Sequence, residues 1–356
     1  MIHPDRAAES RDRLWQAVAA GDEYEAVGAV RTALAAGLDE EALLLDVIAP
    51  VQEKVGTEWA ADRFTVAQEH AATAINERVV AALAHQRPRN SAHRGRITVG
   101  CVDGEWHAFP ARLVGEVLRL RGWQVDYLGA QTPTPHLVAH LHHTDPRAVL
   151  LSSSLPTHLP TAHTAVTACQ AVGIPVMTGG RAFGPDGRYA RALGADRWAA
   201  DARAAAAALE SGIARPAPSA VRQVVDDLPH LADQEYTMVV RSRGRLVKQT
   251  LADLEDRFPA MRGYGEAQRE RTAEDVAHII DFLATALYVD DAQVFTTFLT
   301  WTAGILEARQ VPAGSLPAGL DAMSEQLREF PRTLGLLRDG AAAIASRPEP
   351  RPGTHV

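Results

Sequence analysis

Apolar positions follow three successive regimes along the chain. Between residues 10 and 86 they recur every three or four residues, in RLWQAVAAG, EYEAVGAVRTALAAG, EEALLLDVIAPVQEKVGTEWA and TVAQEHAATAINERVVAALAHQ. That is the period of amphipathic helices. Gly21 and Gly37 stand where helix C-caps fall, and Asp39 can cap the helix that follows it. Short-linked helices of this kind predict an up-down four-helix bundle over residues 1–88. Polar, Pro-containing residues 87–96 read as a linker.

From residue 96 to 212 the period changes. RITVGCV, WQVDYLG, AVLLSSS, IPVMTGG and ADRWAAD are short apolar runs separated by helical stretches, one of them near 160–172. Strands alternating with helices predict βαβ units and a Rossmann-like parallel sheet. Ligands of such sheets sit beyond the carboxyl ends of the strands. The residues following the apolar runs there are Asp103 to His107, Ser152 to Leu155, and Gly179-Gly180.

Residues 213–228 form a second, Pro/Ala-rich linker. Helical periodicity returns over 228–345, with TAEDVAHIIDFLATALYVDDAQVFTTFLTWTAGILEARQ at its centre. The expected protein is therefore multidomain, α and α/β: a bundle over 1–88, a parallel-sheet domain over 96–212 and an all-α domain over 228–345.

A net charge of −8, with arginines dispersed among acids, argues against nucleic acid or an anionic membrane as partner. The only cysteines, Cys101 and Cys169, make no disulfide framework and fit a reducing cytoplasm. Cys101 ends an apolar run and reads as core. No apolar signal core opens the chain, and no uninterrupted apolar run reaches roughly 18 residues. No Ser/His/Asp constellation, Walker loop or zinc spacing is present, so no classical active site is expected.

Asp103-Gly104-Glu105-Trp106-His107-Ala108-Phe109-Pro110 resembles the E-x-H-x-x-G signature of cobalamin-binding Rossmann domains, with Pro110 in the usual Gly position. Ser153-Ser154-Leu155 then matches S-x-L, and Gly179-Gly180 matches the terminal G-G. The resemblance implies that the nucleotide tail of a cobalamin enters the domain while His107 becomes the lower ligand of cobalt. An imidazole suits such a borderline metal. Glu105 or Asp103 would orient that imidazole from behind. Trp106, Leu155 and Thr157 join the implied site. Ser153 would bond the displaced base, and the glycine pair would let backbone approach the tail. Pro110 should alter the start of the following helix, where Pro is tolerated, rather than remove a ligand.

In the bundle, Trp59, nine residues and Glu69-His70 are similar to the W-x9-E-H motif of the helical cap in cobalamin-dependent photoreceptors. In that family these residues lie over the upper face, against the 5′-deoxyadenosyl group. The family's repressors place a His directly after this Trp, which ligates cobalt after illumination. Here the position is Ala60, so water, His70 or another group must take that role. His70 reads equally as a structural donor. Those repressors also carry an N-terminal helix-turn-helix domain, which the sequence given does not display before the first bundle helix.

The segment Asp275 to Gln310 resembles the C-terminal globin-like, biliverdin-binding domain of the photocobilins, through His278 before IIDFLATAL, Tyr288, VFTTFLTW ending at Trp301, and LEARQVP. Without a cysteine beyond residue 169 the bilin would be held non-covalently. Its propionates and pyrroles call for Arg pairing, a His or Tyr donor and aromatic walls. Arg262, Tyr264, His278, Tyr288, Trp301 and Arg309 are the candidates.

The expectation is a cytoplasmic, non-enzymatic light sensor with adenosylcobalamin and biliverdin. It would signal through a light-dependent homo-oligomer or a separate downstream effector. The alternatives are a corrinoid methyl carrier of a methyltransferase system, and a haem/cobalamin sensor with His278 as proximal ligand.

Overall fold

The computed structural model describes residues 4–86, 94–216, 233–311 and 314–347. The linkers expected at 87–96 and 213–228 lie largely outside these residues, as do the outermost expected domain residues 1–3, 87–88 and 228–232. The chain divides into two compact units, Met1–Val225 and Asp226–Val356.

The first unit opens with the bundle. Helix α1 runs over Pro4–Ala20, α2 over Glu23–Ala35, and α5 over Val66–Gln86. The third rod is continuous but not uniform: α3 (Glu40–Ala42) leads through a π-helical segment, Leu43–Ile48, into α4 (Ala49–Ala60). The periodicity did not foretell the π segment, and Pro50 explains it. A proline in mid-helix removes one donor and crowds the carbonyl four residues back, so the ladder ahead of it widens. Accordingly the Ala49 amide donates to the Leu44 carbonyl, five residues back. The expected Asp39 cap forms, accepting from the Ala42 amide at 3.2 Å, and Asp22 caps α2 as well, accepting from the Glu25 amide at 2.9 Å.

Five parallel strands follow: β1 (Arg96–Cys101), β2 (Gln124–Gly129), β3 (Val149–Ser152), β4 (Val176–Gly179) and β5 (Arg197–Ala199), in the order β2-β1-β3-β4-β5. Helices α6 (Phe109–Leu120), α7 (Thr134–Thr144), α8 (Leu159–Ala171) and α9 (Arg188–Ala192) connect them, and α10 (Ala202–Ser211) follows β5. The inner strands are apolar throughout because both faces of a parallel sheet are covered. On one face Val99, Cys101, Leu150 and Met177 pack with Ala111 and Leu118 of α6 and Ala205 and Leu209 of α10. The order of strands reverses between β1 and β3, which opens a crevice at their carboxyl ends.

Helix α6 also serves the bundle. Phe109, Leu113 and Val117 are buried in the same apolar cluster as Leu43, Leu44, Val47 and Ile48. Each such side chain removed from water contributes about 1.5–3 kcal/mol, so the bundle is seated by hydrocarbon. Ion pairs rim this seat: Arg121 with Glu41 at 2.8 Å, Arg203 with Asp46 at 2.8 Å, and Arg181 with Glu53 at 2.7 Å.

The second unit is all helical among the described residues: α11 (Glu235–Arg257), a 3-10 turn over Pro259–Gly263, α12 (Glu266–Val289), α13 (Ala292–Ala308), α14 (Ser315–Gln326) and α15 (Pro331–Ala345). The long apolar stretch centred on residue 290 is broken into two helices. Asp290 adopts φ 54, and Asp291 caps α13 by accepting from the Gln293 amide at 2.8 Å. No helix among the described residues is long and apolar enough to cross a membrane.

Candidate corrinoid site

Strand register brings the separate motifs together. Cys101 pairs with Ser152, Ser152 with Gly179, and Gly179 with Ala199, so four strand ends form one row. The loops after that row carry His107, Ser153 and Gly180.

Glu105 is the hub of the site. It is fully buried, at 0% exposure. Its Oε1 accepts from the His107 amide at 2.8 Å and from His107 Nδ1 at 2.6 Å. Its Oε2 accepts from the Ser153 hydroxyl at 3.1 Å, the amides of Ser154 and Leu155 at 2.6 and 3.2 Å, and His158 Nδ1 at 3.3 Å. Burial pushes this carboxyl up, but the hydrogen bonds from His107, His158 and the Ser154 amide outweigh it and hold the group far below the ordinary carboxylate range. An ionised carboxylate accepts only, so both imidazoles present Nδ1–H to it. His107 Nε2 is thereby left as the lone-pair nitrogen on a half-exposed ring.

Of the two acids that could orient His107, the one in contact is Glu105, while Asp103 stands two residues away on the turn. The Ser153 hydroxyl, expected at the tail base, is directed in this structure at Glu105 and, at 3.4 Å, at the Leu155 carbonyl. His158 was missed by the sequence reading. Its only signal there is a histidine five residues after Ser153, on the same loop as Thr157. Cys101 is fully buried and its thiol is pushed up to about 12, by burial first and by the Glu105 charge second, so it stays protonated and out of the ligand set.

The glycine pair is required by space. Gly180 has φ 100, and a Cβ there would run into the carbonyl of Ser153; a Cβ on Gly179 would lie 3.2 Å from the Ala199 carbonyl. Beside the pair a cavity of about 200 Å³ opens between the sheet and helices α6 and α10. Trp106 (72% exposed) and Leu155 (39% exposed) are exposed apolar side chains on the loops after β1 and β3.

Of the cap residues, Glu69 lies within electrostatic reach of the loop after β1. The Glu69 charge acts on His107, whose imidazole is raised first by its hydrogen bond to Glu105, against burial, and then by the charges of Glu105 and Glu69. Glu69 also accepts from Thr73 at 2.9 Å and pairs with His70 Nδ1 at 2.8 Å, while His70 Nδ1 lies 2.9 Å from the Val66 carbonyl. Trp59 is half-buried near the end of α4, and Ala60 follows it there.

In the second unit the candidates divide. Phe282 and Phe298 stack at 3.7 Å between centroids, and Trp301, half-exposed, lies 6.4 Å from Phe298. This stack joins α12 to α13, and His278 lies one turn before Phe282 on α12. Asp275 is within electrostatic reach of both His278 and Arg309. Tyr288 is instead buried against Tyr236 of α11, 4.9 Å between centroids. Arg262 and Tyr264 belong to the α11–α12 connection, with Arg262 3.7 Å from Asp256.

A helical cap seated on a parallel sheet that presents a carboxylate-held imidazole, and a glycine pair beside a cavity, defines a corrinoid-binding unit. Sequence families agree: residues 10–84 match one B12 binding domain and residues 95–210 a second B12 binding domain. The first unit is thus a B12-binding cap and a B12-binding Rossmann domain. In fold it is similar to the monomethylamine corrinoid protein of Methanosarcina barkeri, at 22% identity, over 57% of this chain and 99% of that one, with a TM-score of 0.50. The methanol:cobalamin methyltransferase complex MtaBC from Methanosarcina barkeri matches over 60% of this chain and 84% of its own at 19% identity and TM-score 0.31. A cobalamin-binding protein from Desulfitobacterium hafniense DCB-2 matches over 56% and 96% at 22% identity and TM-score 0.31. Comparison with curated proteins finds no match.

Proposed function

We propose that the protein is a light sensor that holds adenosylcobalamin between its cap and its Rossmann domain. The observation that carries this reading is His107, its Nδ1 fixed by Glu105, with Glu69 of the W-x9-E-H cap motif within electrostatic reach of it. The residues fit the group: an imidazole nitrogen on His107 that would ligate cobalt, and a cavity beside Gly179-Gly180 that would take the nucleotide tail. Bound adenosylcobalamin would supply a light-labile cobalt–carbon bond.

The chain's own part is mechanical. Glu105 fixes the ring plane and tautomer of His107, and the glycine pair and cavity receive the tail. Trp59 and Glu69 would hold the bound group from the cap side and so make cap position depend on it. The apolar seat on α6 then transmits any shift of the cap to domain packing or to assembly with a second copy or an effector. Turnover of a substrate is not part of this reading. The second unit would take biliverdin non-covalently on the face of His278, Trp301 and Arg309, since both cysteines are buried in the first unit.

A second reading, a corrinoid methyl carrier, draws on the cap-plus-Rossmann layout shared with the monomethylamine corrinoid protein. Absorption spectra of the chain reconstituted in the dark with adenosylcobalamin and biliverdin, before and after green light, separate the two. An irreversible cobalamin conversion, altered in His107→Ala, with an added far-red bilin band, supports the sensor. Survival of bound adenosylcobalamin under illumination, or retention of methylcobalamin alone, replaces it with the carrier, and a Soret band in place of the bilin band assigns the second unit to haem.

A further inference from the structure

The cavity beside Gly179-Gly180 has an unusual wall for a pocket expected to take a nucleotide. On the sheet side it is formed by Val99, Leu150 and Met177, and on the α6 side by Val114. The polar residues at its wall are few. Asp201 is committed to the N-terminus of α10, accepting from the Ala204 amide at 2.8 Å. Strand alternation turns the Thr178 side chain to the opposite face from Met177. Ser152, on the Leu150 face at the strand end, is the hydroxyl that remains for a ligand.

One further wall residue comes from outside the Rossmann domain. Leu45, in the π-helical segment of the bundle, lines the same cavity. Its neighbour Asp46 pairs with Arg203 on α10 at 2.8 Å, and Glu41 pairs with Arg121 on α6 at 2.8 Å. The pocket is therefore complete only when the bundle is seated.

We infer that this cavity selects cobamides by the base of their nucleotide tail, favouring a benzimidazole over a purine, and that Leu45 completes the selection from the bundle. The inference rests on the reading above, in which the tail enters the sheet. A benzimidazole presents a hydrocarbon edge and a single unbonded ring nitrogen, which one hydroxyl at the strand end can satisfy. Adenine presents an amino group and three free ring nitrogens, and hydrocarbon walls leave most of them unpaired. Unpaired polar groups in such a pocket carry the larger part of discrimination between ligands of similar shape.

The test uses the full chain and three probes: cobalamin, its adenine-containing analogue pseudocobalamin, and cobinamide, which lacks the nucleotide. Dissociation constants from absorbance titration are expected to favour cobalamin over pseudocobalamin by about tenfold or more. Cobinamide should bind more weakly than cobalamin. Leu45→Ala should narrow the cobalamin/pseudocobalamin ratio to about threefold or less while leaving cobinamide unchanged, and Leu45→Met, which keeps the volume, should retain the ratio. Equal affinity for cobalamin and pseudocobalamin, with cobinamide weaker, overturns the selection but leaves the seated tail intact. Cobinamide binding as tightly as cobalamin overturns both. A Leu45→Ala variant with an unchanged ratio removes Leu45 from the proposal, as does one that loses affinity for all three probes equally.

Discussion

Glu105 Oε1 lies 2.6 Å from His107 Nδ1, and the same oxygen accepts the His107 backbone amide at 2.8 Å. One buried carboxylate thus fixes both the ring and the backbone of the residue that would meet cobalt. Its other oxygen is tied to the loop after β3, so the orientation of His107 depends on two strands at once.

Replacing Glu105 should therefore reach the ligand without touching it. Glu105→Gln puts a donor where hydrogen-bond donors already converge, and the His107 ring loses its anchor. Cobalamin affinity should fall by about 10- to 100-fold, measured by titration of the cobalamin-free chain. Unchanged affinity would show that His107 is positioned by its backbone alone.

Gly180 should tolerate no side chain. At φ 100, with the Ser153 carbonyl in the path of a Cβ, Gly180→Ala combines backbone strain with a backbone clash. A loss of about 3 kcal/mol is expected in urea unfolding of the first unit. A variant of wild-type stability would mean that the β4 loop can relax away from β3.

Seating of the bundle should depend on pH through Glu41. Its carboxyl is held below its ordinary value of 4.5, foremost by the hydrogen bond from Arg121, against burial, and then by the charges of Arg121 and Arg203. A depressed carboxylate contributes stability above its unfolded value, and that contribution is lost as pH falls through the folded one. The wild-type chain should thus exceed Glu41→Gln by about 0.5–1 kcal/mol at neutral pH, a margin that closes below about pH 4.5. Melting temperatures of the two chains across that range provide the check.

Glu235 organises the second unit as Glu105 does the first. Only 6% exposed, it accepts from the Thr333 amide and hydroxyl, both at 2.7 Å, and from the Arg332 amide at 3.1 Å, closing the first turn of α15. Glu235→Ala leaves these donors buried and unmatched and should cost about 2–4 kcal/mol. Faster amide exchange confined to α15 is the expected signature.

The sequence by itself determined the elements and the motif residues that the strand ends bring together. Periods of three to four residues marked the bundle helices, short apolar runs marked the strands, and E-x-H, S-x-L and G-G marked the loops after β1, β3 and β4. These are local signals, written in neighbouring positions by helix and strand geometry. Only the tertiary structure decided which acid holds His107, that His158 shares it, that the Ser153 hydroxyl turns toward Glu105, and that Leu45 of the bundle walls the cavity beside Gly179-Gly180. It likewise stacked Phe282 on Phe298 and sent Tyr288 to the interior. Glu105 meets Ser153 across 48 residues and His158 across 53, and Leu45 reaches the cavity from another domain. Such contacts follow from sheet register and from the seat of the bundle on α6, where many weak apolar contacts act together, and no local spacing encodes them.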